Sequence, residues 1–348
     1  MTVLVVDDSA VVRRTMTAIL SATPDMEVMV AADPLIAMRR MAETRPDVLL
    51  LDLELPHMHG LTFLRRIMAE DPIPVVICSG LAGRRADIAI RALEEGAVEV
   101  VAKPEIGVRD FLSESAVRLV DAVRAAAQAR LRPASGTVGD LSRRPERPSG
   151  PTGYRGVVVI GASTGGPEAL RTVLPRMPED APGFVIVQHM PARFTPAFAR
   201  HLDELCRIDV REARDGDRVV PGRALIAPGN RHVKLCREAS DYAVEVYEGR
   251  LVSRHRPSAD VLFRSAAAIA GAEAVGVILS GMGDDGAAGL AALRRSGATT
   301  LAQDRSSCVV YGMPKVANDR GAVDRVVGLD TLVGAILKAA RSTVDRSG

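Results

Sequence analysis

This sequence predicts two α/β units in series, both doubly wound, with parallel sheets flanked by helices. Two observations carry the prediction. Short apolar runs rich in Val, Ile and Leu alternate with stretches whose apolar residues recur every three to four positions, the pattern of parallel strands joined by crossover helices. The alternation breaks at RPASGTVGDLSRRPERPSGPTG, residues 132–153, where Pro, Gly, Ser and Arg crowd a segment without sustained apolar period, and then resumes. The expected division is a first domain over residues 1–127, a linker over 128–153 and a larger domain over 154–345.

In the first unit TVLVV, DVLLLD, IPVVICS and VEVVAKP read as strands. A helix from Asp110 to Leu131 closes it, with Leu112, Ala116, Leu119, Val120 and Val123 on one stripe. In the second, VVVI, GFVIVQH, RALIAP, AVGVILSG and GATTLAQD are the strands, and a hairpin-like insertion is expected around YAVEVYEGRLVS.

Composition narrows the function classes. The 348 residues are 47% hydrophobic and 25% charged, which suits ordinary globular domains. A net charge of +2, no Trp and 3% aromatic residues leave little with which to grip nucleic acid, so no nucleic-acid partner is expected. The start MTVLVVDD lacks the basic then apolar order of a signal segment, and no apolar run reaches spanning length. A cytoplasmic protein without direct membrane insertion is the expectation. Cys78, Cys206, Cys236 and Cys308 show no CxxC spacing and read as reduced, mostly buried side chains.

Asp7 and Asp8 follow the first strand and Asp52 follows VLLL, so in a parallel sheet three carboxylates emerge at one edge. Like charges so close call for a hard cation, and oxygen ligands with open positions suit Mg²⁺. Ser79 and Lys103 end two further strands at the same edge, where a hydroxyl and an ammonium can meet an anion carried on Asp52. The peptide before Pro104 is a candidate for the cis form. His57 and His59 form an HxH pair without further ligands at suitable spacing, and read as a polar loop.

VDDSA, LLLDLELPHMHG, CSG and VAKP resemble a response-regulator receiver domain, a flavodoxin-like fold. The resemblance implies that Asp52 accepts a phosphoryl group from a histidine kinase, that Asp7, Asp8 and Asp52 hold Mg²⁺, and that Ser79 and Lys103 read the phosphorylated state. Val100 departs from it by standing where many receivers carry a switch aromatic.

The second unit opens on VVVIGASTGG, residues 157–166, a buried strand turning sharply into a helix. GASTGG is not GxGxxG, and the next strand ends in Gln188 and His189 rather than the acid that a dinucleotide site needs. The turn carries no lysine, which removes a Walker loop. GxSxG remains, a turn that lifts the Ser163 hydroxyl to the top of a strand. His189 at the end of the next strand and Asp285 in SGMGDDGAAG complete a possible Ser-His-acid set at one sheet edge. Spacing alone does not separate Asp285 from Asp284, and His232 is a rival base. His201 and His255 read as solvated or packed side chains.

GASTGG, QHMP, FTPAFA, IAPGNRH, LSGMGDDGAAG and SCVVYGMP resemble the catalytic domain of the chemotaxis protein-glutamate methylesterase family, CheB. That resemblance implies a Ser163, His189, Asp285 triad hydrolysing glutamate methyl esters on chemoreceptors, and deamidating glutamines there, with no cofactor for hydrolysis. It makes Met282 and the Thr164 turn candidate oxyanion donors. It also implies that the unphosphorylated receiver covers the triad and is displaced on phosphorylation. A transcriptional regulator fits less well, since the second half has no basic recognition helix.

Overall fold

The computed structural model describes residues 1–80, 84–103, 109–131, 156–239 and 241–345. The greater part of the expected linker, and Pro104 with its candidate cis peptide, lie outside the described residues. The chain divides into two compact units between Gly136 and Thr137.

The first unit alternates β1 (Thr2–Val6), α1 (Ala10–Ser21), β2 (Glu27–Ala31), α2 (Pro34–Glu43), β3 (Val48–Leu51), α3 (Gly60–Glu70), β4 (Val75–Ser79), α4 (Arg84–Glu94), β5 (Glu99–Ala102) and α5 (Arg109–Ala127). Its sheet is parallel in the order β2-β1-β3-β4-β5. β3 and β4 are buried along their whole length, which is why VLLL and VVICS are unbroken apolar runs rather than alternating ones. Leu119 and Val123 on α5 are buried, as their stripe predicts. Because β2 lies on one side of β1 and β3 on the other, the order reverses between β1 and β3, and a crevice opens at their carboxyl ends.

The second unit runs β6 (Val157–Ala162), α6 (Gly166–Val173), β7 (Gly183–Gln188), α7 (Thr195–Leu205), β8 (Asp209–Glu212), β9 (Arg218–Val219), β10 (Arg223–Ile226), β11 (His232–Glu238), β12 (Asp241–Tyr247), α8 (Ala259–Ile269), β13 (Ala274–Ile278), α9 (Ala287–Arg295), β14 (Thr299–Gln303), α10 (Met313–Asp319), β15 (Arg325–Val327) and α11 (Leu329–Asp345). Seven strands form a parallel sheet ordered β15-β14-β13-β6-β7-β10-β8. Its reversal falls between β6 and β13.

Sequence patterning passed over the two outermost strands, β8 and β15, because DVRE and RVV are short and carry charges, as strands with a single neighbour do. The hairpin lies earlier than expected: β11 and β12 pair antiparallel from His232↔Tyr247 to Glu238↔Asp241, and β9 adds a third strand. GRLVS is instead the loop that follows. Val233, Leu235, Tyr242 and Val244 turn inward from this small sheet into a core shared with Leu262, Phe263 and Ala266 of α8.

Candidate functional site

In the first unit the crevice between β1 and β3 collects the predicted acids. Carboxylate oxygens of Asp7, Asp8 and Asp52 lie within 4.8 Å of one another, with Asp7 and Asp52 buried and Asp8 exposed. Lys103, brought in from the end of β5, places Nζ 2.7 Å from Asp7 Oδ2 and donates a hydrogen bond to Asp52 Oδ2 at 2.7 Å. One ammonium thus lies against both buried carboxylates. Three convergent carboxylates offset by a single positive charge fit a divalent cation with oxygen ligands.

Burial pushes the Asp52 carboxyl above its ordinary range, outweighing the Lys103 ammonium that opposes it. For Lys103 burial is the largest effect and acts downward, yet the bonds and charges of Asp52 and Asp7 together raise it, so the ammonium is firmly protonated. Ser79 is buried and its Oγ turns to its neighbour's carbonyl, Gly80 O, at 3.4 Å. His59 Nδ1 accepts from Leu61 N–H as the N-cap of α3, which gives the HxH loop a capping role.

In the second unit β13, β6 and β7 are neighbours, and the three predicted residues follow their carboxyl ends. Ala162 pairs with Gln188 in register, His189 N–H donates to Ala162 O at 3.0 Å, and Ser163 N–H donates to Ser280 O at 3.0 Å. Ser163 and His189 therefore leave adjacent strands at matching positions. Gly165 holds φ +76°, and a Cβ there would lie 2.4 Å from Val309 Cβ, so the turn requires glycine.

His189 and Asp285 meet directly, Nε2 to Oδ2 at 2.8 Å. Asp285 is buried at the start of α8, accepting from Ser258 Oγ at 2.6 Å and from the N–H groups of Ala259 at 2.7 Å and Asp260 at 3.2 Å. Burial alone would raise its carboxyl, but the His189 and Ser258 hydrogen bonds and the nearby imidazoles bring it below the ordinary range, so it is ionised. A carboxylate can only accept, so the hydrogen on His189 resides on Nε2 and the lone pair on Nδ1. That Nδ1 is buried and has no hydrogen-bond partner. The geometry separates the two acids that spacing could not: Asp284 is exposed and pairs with Arg320 at 2.9 Å.

The rival base lies in the small antiparallel sheet, at the start of β11, where His232 Nε2 contacts Arg250 O at 2.8 Å. His255, read from sequence as a solvated or packed ring, stacks on His189 with centroids 3.8 Å apart and planes 7° from parallel. Sequence reasoning also missed Gln188, whose side-chain amide donates to Ser163 O at 3.0 Å and His189 O at 3.1 Å and thereby ties the two turns together. The available signal was a polar residue, fully buried, ending an apolar strand. Ser280 does similar work, donating from Oγ to Thr164 O at 2.8 Å and accepting from Val310 N–H at 3.0 Å. Met282 follows Gly281, at which a Cβ would lie 2.7 Å from Ser163 Cβ, so the residue after it borders the serine.

Comparison with known proteins agrees with both halves. The response regulator receiver domain family matches residues 3–112, and the CheB methylesterase family matches residues 158–336. A protein of Anaeromyxobacter dehalogenans named as a protein-glutamate methylesterase/protein-glutamine glutaminase is 58% identical, covering 97% of this chain and 96% of its own. One of Geobacter metallireducens with the same name is 54% identical, covering 97% and 98%. The crystal structure of the Thermotoga maritima CheB methylesterase catalytic domain covers 53% of this chain and 97% of its own at 36% identity and TM-score 0.52. Among the described residues no helix is long and apolar enough to cross a membrane. This chain therefore belongs to the CheB family: it is a CheB-type methylesterase with a response-regulator receiver domain in front.

Proposed function

We propose that the second unit hydrolyses glutamate γ-methyl esters on chemoreceptors, and deamidates glutamines there, with Ser163 as nucleophile, His189 as general base and Asp285 as the group that orients the base. The observation that carries the reading is the His189 ring: one nitrogen is committed to an ionised carboxylate and the other is buried without a partner, on a residue that leaves β7 level with Ser163 on β6. In serine proteases the two nitrogens are used the other way round, but the division of labour is the same.

Ser163 Oγ attacks the ester carbonyl as Nδ1 takes its proton. The imidazolium that forms is stabilised by Asp285, whose carboxylate is already held by the start of α8. Backbone N–H groups of Met282 and of the Thr164 turn face the developing oxyanion. Methanol leaves with the proton returned by His189, and water, deprotonated by the same imidazole, releases free glutamate and restores the serine. The reaction needs no cofactor.

In the first unit Asp52 is the phosphoacceptor, supplied by a histidine kinase, and Asp7, Asp8 and Asp52 would hold Mg²⁺, which neutralises charge on the transferred group. Lys103 and Ser79 meet the phosphoryl oxygens, and phosphorylation governs hydrolysis. Both partners and both substrates are those of a cytoplasmic signalling protein.

The test is methanol release from a methylated chemoreceptor with and without a small phosphodonor and Mg²⁺. Release is expected in both conditions and faster with the phosphodonor. No release from the Ser163-intact chain under either condition would end the esterase reading.

A further inference from the structure

The IAPGNRH segment contributes no group to the chemistry above, yet it touches the loop carrying His189 on one side and a second loop, residues 249–256, on the other. Gly229 packs so closely under the His189 loop that a Cβ would lie 2.3 Å from Ala192 N and 2.7 Å from Met190 O. Asn230, next in sequence, holds φ +63° and accepts on Oδ1 from both Arg256 Nε at 3.0 Å and Nη2 at 2.6 Å. Its N–H donates to Arg256 O at 3.2 Å, and Arg256 Nη1 reaches across its own loop to Gly249 O at 2.6 Å.

That loop ends in a tight turn. Val252 and His255 exchange both backbone hydrogen bonds, at 3.1 and 2.8 Å, around Ser253 and Arg254, both with positive φ. His232 Nε2 holds the loop at Arg250 O, and Ser253 Oγ bonds Asp260 Oδ2 at 3.4 Å. What these contacts present is the His255 ring, flat against His189.

A ring held at one edge by a single hydrogen bond can still swing about its Cβ–Cγ axis, and a face-on neighbour removes that freedom. Fixing the reacting nitrogen in this way matters, because a displacement of about 1 Å in a reacting group can cost roughly a hundredfold in rate. We infer that Asn230 is a positioning residue for ester hydrolysis: by clamping Arg256 it holds the 249–256 loop so that His255 stacks on His189 and fixes the plane of its ring. The inference rests on the reading of His189 as the base.

Asn230→Gly tests it, since glycine keeps the positive φ without strain while removing the acceptor, and Asn230→Asp keeps an acceptor in the same conformation. With methylated chemoreceptor as substrate for the full chain, Asn230→Gly and His255→Ala should each lower kcat roughly tenfold at unchanged KM. The double variant should fall no further than the worse single one, and Asn230→Asp should recover most of the rate. In ¹⁵N-imidazole NMR the single Nε2–H tautomer of His189 should give way to a mixture in Asn230→Gly. Unchanged kcat in Asn230→Gly, loss of rate in Asn230→Asp equal to that in Asn230→Gly, or multiplication of the two single effects in the double variant would overturn the clamp. Ser163→Ala run alongside isolates the premise: persistent methanol release from that variant overturns the triad reading itself, whatever the Asn230 variants do.

Discussion

The two units share a ground plan and fill it with opposite chemistry. Each places its functional groups where strand order reverses, at β1 and β3 in the first unit and at β6 and β13 in the second. The first crevice holds three carboxylates balanced by one ammonium. In the second, an imidazole meets a single buried carboxylate, and that carboxylate is also held by the Ser258 hydroxyl and two helix N–H groups. The difference teaches how burial is offset. Asp52 has one lysine ammonium beside it and its carboxyl is still pushed up by burial, whereas Asp285, bonded to His189 and Ser258 and close to two imidazoles, is held down. A fold that only supplies an edge can thus host either a cluster of carboxylates around an ammonium or a single carboxylate held by directed hydrogen bonds.

The comparison breaks most severely at the serine. Ser163→Ala should lower kcat for ester hydrolysis by a factor of about 10⁶, while acetyl-phosphate labelling of Asp52 proceeds as in the parent chain. Loss of labelling in that variant would show that the two crevices are not chemically separate.

Next in size is Asp285→Asn, which leaves an amide where the ring needs an acceptor and so favours the wrong tautomer. A fall of about 10⁴ in kcat is expected, with KM little changed, in steady-state methanol release. The corresponding change at Asp284, which faces Arg320 at the surface, should stay close to the parent rate.

The smallest effect sharpens the contrast from the other side. A carboxyl whose folded pKa lies above its unfolded value favours the fold when protonated, and that contribution is lost as pH rises through the folded pKa. At neutral pH ionised Asp52 is therefore a cost. Asp52→Asn, whose carbonyl still accepts from Lys103, should raise the melting temperature of the first unit by on the order of a few degrees while abolishing phosphorylation. Calorimetry at pH 7 reads the shift, and a lowered melting temperature would mean that the Lys103 ion pair outweighs burial.

Much of this arrangement was legible in the sequence, for a physical reason. Strand ends in a parallel sheet all point one way, so Asp7, Asp52, Ser163 and His189 could be placed at edges from apolar runs alone. What lay hidden depends on side chains that meet across long separations. Gln188 bonds a carbonyl 25 positions away, Ser258 bonds Asp285 across 27, and neither pairing leaves a local period. Spacing could not choose between Asp284 and Asp285 for the same reason, since the choice is made by which carboxylate faces α8; only the family resemblance pointed to Asp285. His255 was read as packed or solvated, and its packing partner is the His189 ring, 66 positions earlier in the chain. The charged edge strands β8 and β15 escaped because patterning detects burial, and they have little.

The acid that holds the His189 ring also closes the first turn of a helix, so the same two oxygens serve a side chain and a backbone at once. Engineers seeking a hardier variant would do well to reinforce the beginning of this helix from its outer side, leaving position 285 untouched.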